Sequence, residues 1–284
     1  MAGTSNIVMD AVRAADHDRY LSALYAPANK RDALLALYAF NAEIAGVRDR
    51  IHEPLPGEVR LQWWRDVILA EGEAETGHPT ADVLRAAITA HHLPKAAFEN
   101  MLEARVFDLY DDPMPSRTDL EGYCGETAAA LIQLAAMVLD ATAAPGFAEL
   151  AGRAGCAQAI TGLLLLLALH RRRGQCYVPA DILAAAGTTP EEFVKGDGGA
   201  GAERAVAATI ALAREHLGAF EKGASALPAS LRPAFLPLAL TRAYLDKMEK
   251  GAPSPLKGAA ALSALRRHWL LLRHATRGLG TPFT

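Results

Sequence analysis

The chain is predicted to be all-α, and three observations predict it. Alanine and leucine, both strong helix formers, dominate the sequence. The period-2 alternation of β-branched residues that marks a half-buried strand is nearly absent. Apolar-periodic segments long enough for helices are separated by short breaks rich in proline or glycine. Hydrophobic residues make up 51% of the 284 and charged residues 21%, the composition of a chain that buries a core.

Taken in order, the pattern places helices over residues 10–25, 30–50, 56–72, 79–91, 94–110, 117–140, 146–170, 202–225, 229–250 and 257–276. Pro54 and Pro56 precede the third, because proline ends or starts a helix rather than continuing one. Pro113 and Pro115 end the fifth in the same way. Ser116, Thr118 and Asp119 supply a helix-start region, with oxygens able to accept from exposed backbone N–H groups. Lys195–Gly201, with four glycines, reads as a loop, and Ala252-Pro253-Ser254-Pro255 separates the last two helices. No break is long enough for a linker and no repeat is detectable, so one domain over 1–284 is expected, with a core at about 10–276.

Composition narrows the function classes. A net charge of −3 gives no basic field for nucleic acid; only Arg171, Arg172 and Arg173 form a dense basic run. Cys124, Cys156 and Cys176 have no metal-type spacing, so a disulfide framework or zinc site is not expected and a reducing compartment fits. The N-terminus lacks the basic start and apolar stretch of a secretory signal. The apolar run Leu163–Leu169 is too short to span a bilayer, so no transmembrane helix is expected. These features predict a cytoplasmic chain that could sit peripherally on a membrane.

Helical bundles build sites from inward-facing side chains on opposed helices. Two segments stand out there. The first runs Asp18-Arg19-Tyr20-Leu21, through Pro27, Lys30 and Arg31, to Leu37-Tyr38-Ala39-Phe40. The second is Arg173-Gly174-Gln175-Cys176-Tyr177-Val178-Pro179. Weaker signals are Gly122-Tyr123-Cys124 at the head of a small-residue helix, and Leu236-Pro237-Leu238 through Asp246-Lys247-Met248. In this order and spacing they resemble the squalene/phytoene synthases. That family leads a tyrosine-bearing helix into P-x-x-K-R and Y-A-F-C-R-x-x-D-D-x-x-D, and later carries R-G-R-x-Y-L-P.

The resemblance implies an isoprenoid synthase fold, a helical bundle around a central cavity. It implies head-to-head joining of two prenyl diphosphates, with Mg²⁺ held by two aspartate-rich motifs on facing helices. Carboxylates at i and i+4 share a helix face, and Mg²⁺ then neutralises the departing diphosphate. Tyr20, Arg31, Tyr38, Asp49, Asp108, Tyr123, Arg173 and Tyr177 match family positions at the substrate pocket. The tyrosines are equally consistent with core residues whose hydroxyls are satisfied.

The departures from the pattern are specific. The family arginine falls on Ala42 and the paired aspartates on Ala45 and Gly46, leaving Asp49. In the second motif the aspartates fall on Leu166 and His170, and the preceding asparagine and glutamine on Gly162 and Ala159. No acidic residue lies between Ile160 and Leu169, so a shifted register does not restore the motif. One lost preorganised electrostatic group costs about 3 kcal/mol of transition-state stabilisation. Four would cost on the order of 10 kcal/mol, about 10⁷ in rate, if they acted independently. The expectation is a degenerate synthase with no required cofactor. The alternative is an active prenyltransferase with Mg²⁺ on Asp49, Asp108 and Glu43.

Leu163–Leu169 followed by Arg171–Arg173 reads as a core helix with a solvated basic end, or as a lipid-shaped pocket whose anionic head meets the arginines. Trp63 and Trp64 point about 100° apart on a helix, which lets one be core and the other lie nearer the surface. Flanked by Arg60 and Arg65, they could also form a partner-binding hot spot. This stretch, with Asn41-Ala42-Glu43-Ile44-Ala45, resembles a divergent branch of the family that includes a mitochondrial complex I assembly factor. That branch implies a complex I subunit or assembly factor as partner, a prenyl or lipid ligand, and contact with the inner membrane.

Overall fold

The computed structural model describes residues 2–72, 75–250, 254–258 and 260–279. No strand occurs among them. Contacts divide the chain into two compact units. Unit 1 is Met1–Tyr110, Ala130–Glu149 and Leu227–Pro237; unit 2 is Asp111–Ala129, Leu150–Ala226 and Leu238–Thr284.

Unit 1 begins with α1 (Ala2–Ala15) and α2 (His17–Ala23), where one helix over 10–25 was expected. Asp16 makes the break: its side chain accepts from Arg19 N at 3.0 Å and caps α2. The expected helix 30–50 is α3 (Ala28–Ala45) and α4 (Val47–Arg50), interrupted at Gly46, a poor helix former. α5 (Pro54–Leu69) takes both prolines into its first turn, where a missing N–H costs nothing, instead of starting after them. α6 (Pro79–His91) has its expected bounds. α7 (Lys95–Val106) runs into a tighter turn, Phe107–Leu109.

The unit 1 core is aromatic. Phe40 of α3 meets Trp64 of α5 at 5.2 Å and Phe98 of α7 at 5.5 Å, both edge-on, the arrangement ring quadrupoles favour. Trp64 is fully buried, whereas Trp63 is half-buried between the Arg60 guanidinium at 4.3 Å and the His78 ring at 5.3 Å. The two tryptophans therefore divide between core and surface, as their angular separation allows.

In unit 2, Ser116 caps α8 (Arg117–Cys124), accepting from Asp119 N at 3.2 Å. A π turn, Gly125–Ala129, continues α8 into α9 (Ala130–Leu139), which belongs to unit 1. Arg117–Leu139 is long and apolar enough to cross a membrane by length and composition, a feature the sequence reading did not anticipate. Its most apolar window is 61% buried within the protein, as a core helix is.

The expected helix 146–170 is α10 (Ala148–Leu165) and α11 (Leu167–Arg172), broken at Leu166. Two short helices were missed, α12 (Ala180–Ala185) and α13 (Pro190–Lys195). α14 (Ala200–Gly223) follows. α15 (Arg232–Phe235), of unit 1, precedes a tight turn and α16 (Thr241–Glu249), so the expected helix 229–250 is interrupted. The final break falls partly outside the described residues, at Ala252-Pro253. α17 (Ala264–Arg277) starts later than expected because Ser263 caps it, accepting from Arg266 N.

Candidate functional site

Unit 1 contains five of the eight site residues expected from sequence. Tyr38, on α3, is fully buried, and its hydroxyl has no hydrogen-bond partner among the described residues. Burial pushes its pKa up to about 12; the Arg19 charge, 6.0 Å from the ring, opposes this, and Asp16 adds to it. Arg19 in turn is ion-paired to Asp16. Tyr20 is half-buried with the His17 ring 6.0 Å away. Arg31 Nε donates to Ala26 O at 2.9 Å, tying α3 back to the turn before it.

The acidic candidates lie on three elements, Glu43 on α3, Asp49 on α4 and Asp108 in the turn Phe107–Leu109. Asp49 is exposed on α4. Asp108 is 6% exposed and accepts from Arg105 Nη1 at 2.9 Å. Glu43 is paired with Arg50 at 3.0 Å and lies 3.9 Å from Arg60. Among the described residues no three His, Cys, Asp or Glu side chains group to hold a metal ion. Mg²⁺ held chiefly by protein carboxylates would need such a group, and the described residues supply none.

Unit 2 shows what Arg173–Pro179 does. Gly174 has φ +83°, a left-handed conformation that glycine adopts without steric cost. The turn brings Gln175 N back to His170 O at 3.0 Å. The following strand-like stretch is clamped on its other side, Met114 N donating to Cys176 O and Ala180 N to Met114 O, both at 2.9 Å. Tyr177 is thereby pressed against His170, ring centres 4.7 Å apart, with Tyr123 6.0 Å away. Gln175 Nε2 reaches the Tyr177 hydroxyl at 3.5 Å. Burial raises the neighbouring Cys176 thiol to about 11, which keeps it protonated and unreactive. His170, where the family carries an aspartate, thus packs as a buried aromatic.

The leucine-rich segment lines an apolar cleft of about 240 Å³, open solvent included. Leu163, Leu164 and Leu167 form one wall with Tyr177, Val178 and Thr209. Its enclosed space is only about 10 Å³, far below the ~300–1,000 Å³ usual for small-molecule pockets. Leu166 points outward, 49% exposed.

Arg171 serves structure. It donates to Phe193 O at 2.7 Å, to Leu256 O at 3.4 Å and to Gly196 O, and lies over the Phe193 ring at 5.7 Å. It thereby satisfies carbonyls around the end of α13. Its guanidinium is thus held by backbone carbonyls, which neither sequence expectation for the basic end included. Arg172 is exposed and Arg173 half-buried.

One polar pair escaped the sequence reading. His216 is 3% exposed, and its Nε2 lies 3.0 Å from Glu121, which also accepts from Arg117 at 2.9 Å. The signal was present: His216 falls on the apolar stripe of α14 between Leu212 and Phe220, where a polar side chain needs a partner.

With this geometry in hand, comparison with known proteins is informative. A bovine (Bos taurus) protein named NADH dehydrogenase (ubiquinone) complex I, assembly factor 6, is 27% identical over 255 residues, spanning 88% of this chain and 75% of that protein. The human (Homo sapiens) protein of the same name is 27% identical over 254 residues, 87% and 74% of the two chains. In structure, a dehydrosqualene synthase solved with ligand aligns with TM-score 0.83 at 18% identity, over 97% of this chain and 96% of that one. Squalene synthase HpnC from Alicyclobacillus acidocaldarius aligns at 0.74 and 20% identity, over 87% and 94%. These structural likenesses establish the isoprenoid synthase fold. The squalene/phytoene synthase family model matches residues 12–269, nearly the whole chain, and this protein therefore belongs to that family.

Proposed function

We propose that this chain is a catalytically degenerate squalene/phytoene synthase, one domain over 1–284, that acts in the assembly of respiratory complex I. The observation that carries the reading is the loss of the metal ligands from a retained fold. Ala42, Ala45, Gly46, Leu166 and His170 stand where the family's charged side chains would be, and among the described residues no three potential metal ligands group together. Relatives named as complex I assembly factors support the second half of the reading. The implied partner is a complex I subunit or another assembly factor. Tyr20, Arg31, Tyr38, Asp49, Asp108, Tyr123, Arg173 and Tyr177 are proposed remnants of a substrate pocket that now holds a prenyl or other lipid chain or serves only as packing. The proposed location is the cytoplasmic side of an inner membrane, by peripheral contact.

Two measurements test this. Purified chain given farnesyl diphosphate and Mg²⁺ should release no diphosphate above background. Release that Asp49→Ala abolishes would instead establish the active prenyltransferase reading, with Asp49 and Asp108 on the metal. Affinity purification of the tagged chain from its own cells should enrich complex I subunits; their absence from a folded, well-expressed bait overturns the assembly role.

A further inference from the structure

α17 carries a surface that nothing above uses. The helix buries Leu270, Leu271 and His274 within unit 2. It leaves Leu265, Trp269 and Leu272 exposed, at 82%, 54% and 52%. Their spacing of i, i+4 and i+7 places them in one stripe on the solvent side. A helix needs one apolar face to pack against a core; this one has a second, facing water. Arg266, Arg273 and Arg277 follow one flank of the stripe by helical spacing, and the Arg273 guanidinium lies 5.4 Å over the Trp269 ring.

The charge along α17 is of one sign. α17 holds four arginines and two histidines and no acidic residue. Residues 250–284 hold six lysines and arginines and no acid, whereas residues 1–249 hold 23 basic and 32 acidic residues. A basic segment thus stands in an otherwise acidic chain, and the apolar stripe lies within it.

We propose that the exposed face of α17 docks on an anionic lipid surface. Leu265, Trp269 and Leu272 enter the boundary between headgroups and acyl chains, the depth at which amphipathic helices lie and tryptophan is favoured. Arg266, Arg273 and Arg277 keep their heads at the phosphates while their stems lie along the apolar stripe. Charge complementarity selects this occupant: an anionic leaflet presents one continuous negative sheet to a flank of one positive sign. The inference identifies the surface for the peripheral contact proposed above, and its test makes no reference to complex I.

Vesicle flotation of the full chain decides it. Wild type should float with phosphatidylcholine vesicles containing about a third phosphatidylserine, stay behind with pure phosphatidylcholine, and be released by raised salt. Leu265→Ser with Leu272→Ser should bind at least ~10-fold more weakly, because the inserted apolar area is lost. Arg266→Gln with Arg277→Gln should lose the preference for anionic vesicles. Leu55→Ser with Val59→Ser, an exposed apolar pair on α5 in unit 1, should bind as wild type does. All changed side chains are largely exposed, and thermal melts confirm the fold of each variant. Failure of folded wild type to float overturns the proposal. So does equal weakening by the α5 pair, undiminished binding by the Leu265/Leu272 variant, or a lipid-free dimer that this variant dissolves.

Discussion

Tyr38 is the residue where sequence and structure pull furthest apart. Its position in Leu37-Tyr38-Ala39-Phe40 marks it as a family pocket residue, yet its hydroxyl is buried with no partner among the described residues. A hydroxyl desolvated without a replacement bond costs roughly 1–3 kcal/mol. Tyr38→Phe should therefore be at least as stable as wild type at neutral pH, by chemical denaturation. The pH dependence has a definite sign. A pKa raised from 10.0 to about 12 leaves stability intact below pH 10 and removes it as pH rises from 10 to 12, because the unfolded chain ionises first. The Phe variant lacks this loss, so its advantage should grow across that window to roughly 2–3 kcal/mol. An advantage independent of pH would mean that the hydroxyl reaches solvent. Gly174 is the opposite case: the left-handed turn that sets Tyr177 against His170 was legible as a motif, whereas its purpose lay in contacts 5 and 7 residues apart in sequence.

At the scale of the element, α10 shows how a single position can decide packing. A Cβ on Gly155 would lie 2.4 Å from the backbone of Ala129 in the π turn, so only glycine permits this approach. Gly152, three residues earlier on the same helix, has open space around its added Cβ. Gly152→Ala should stabilise by up to ~1 kcal/mol through helix propensity. Gly155→Ala should destabilise by about 1–3 kcal/mol, because the overlap is with backbone that cannot rotate away. Urea midpoints of the two variants check the contrast; equal shifts would mean that the π turn yields easily. The missed α13 had a readable start: Thr189 and Glu192 form a capping box, and Thr189-Pro190-Glu191-Glu192 is its sequence form. The breaks at Gly46 and Leu166 differ in kind. Glycine offers a local reason for the first, while nothing in a run of leucines foretells the second.

At the scale of the molecule, the isoprenoid synthase fold persists in a chain that we propose has lost its family's metal ligands. Binding to the native state alone raises thermal stability by mass action. Mg²⁺ with inorganic diphosphate should therefore shift the Tm of wild type by less than about 1 °C, as followed by differential scanning fluorimetry. A rise of several degrees, reversed by chelator, would reveal a metal site made of other residues. The same assay with anionic lipid vesicles separates this question from the docking face of α17.

The sequence by itself determined the fold class, the helix count to within the short elements, and the family. Helix formation rests on local propensity and on 3.6-residue periodicity, and both are written along the chain. It also showed where the family's aspartates are missing, because alanine, glycine and leucine have no side-chain oxygen to offer a metal. Only the tertiary structure decided the roles of the remaining charged and polar groups. Arg171 read as a solvated helix end or an anion ligand, until Phe193 O, Gly196 O and Leu256 O were found around it. Trp63 and Trp64 could be divided by angle, yet only packing assigned the buried place to Trp64. Asp108 became a partner of Arg105, and His170 a partner of Tyr177. A side chain's chemistry is local, but its pKa, its hydrogen bonds and its exposure are set by neighbours distant in sequence, and those neighbours exist only once the chain has folded.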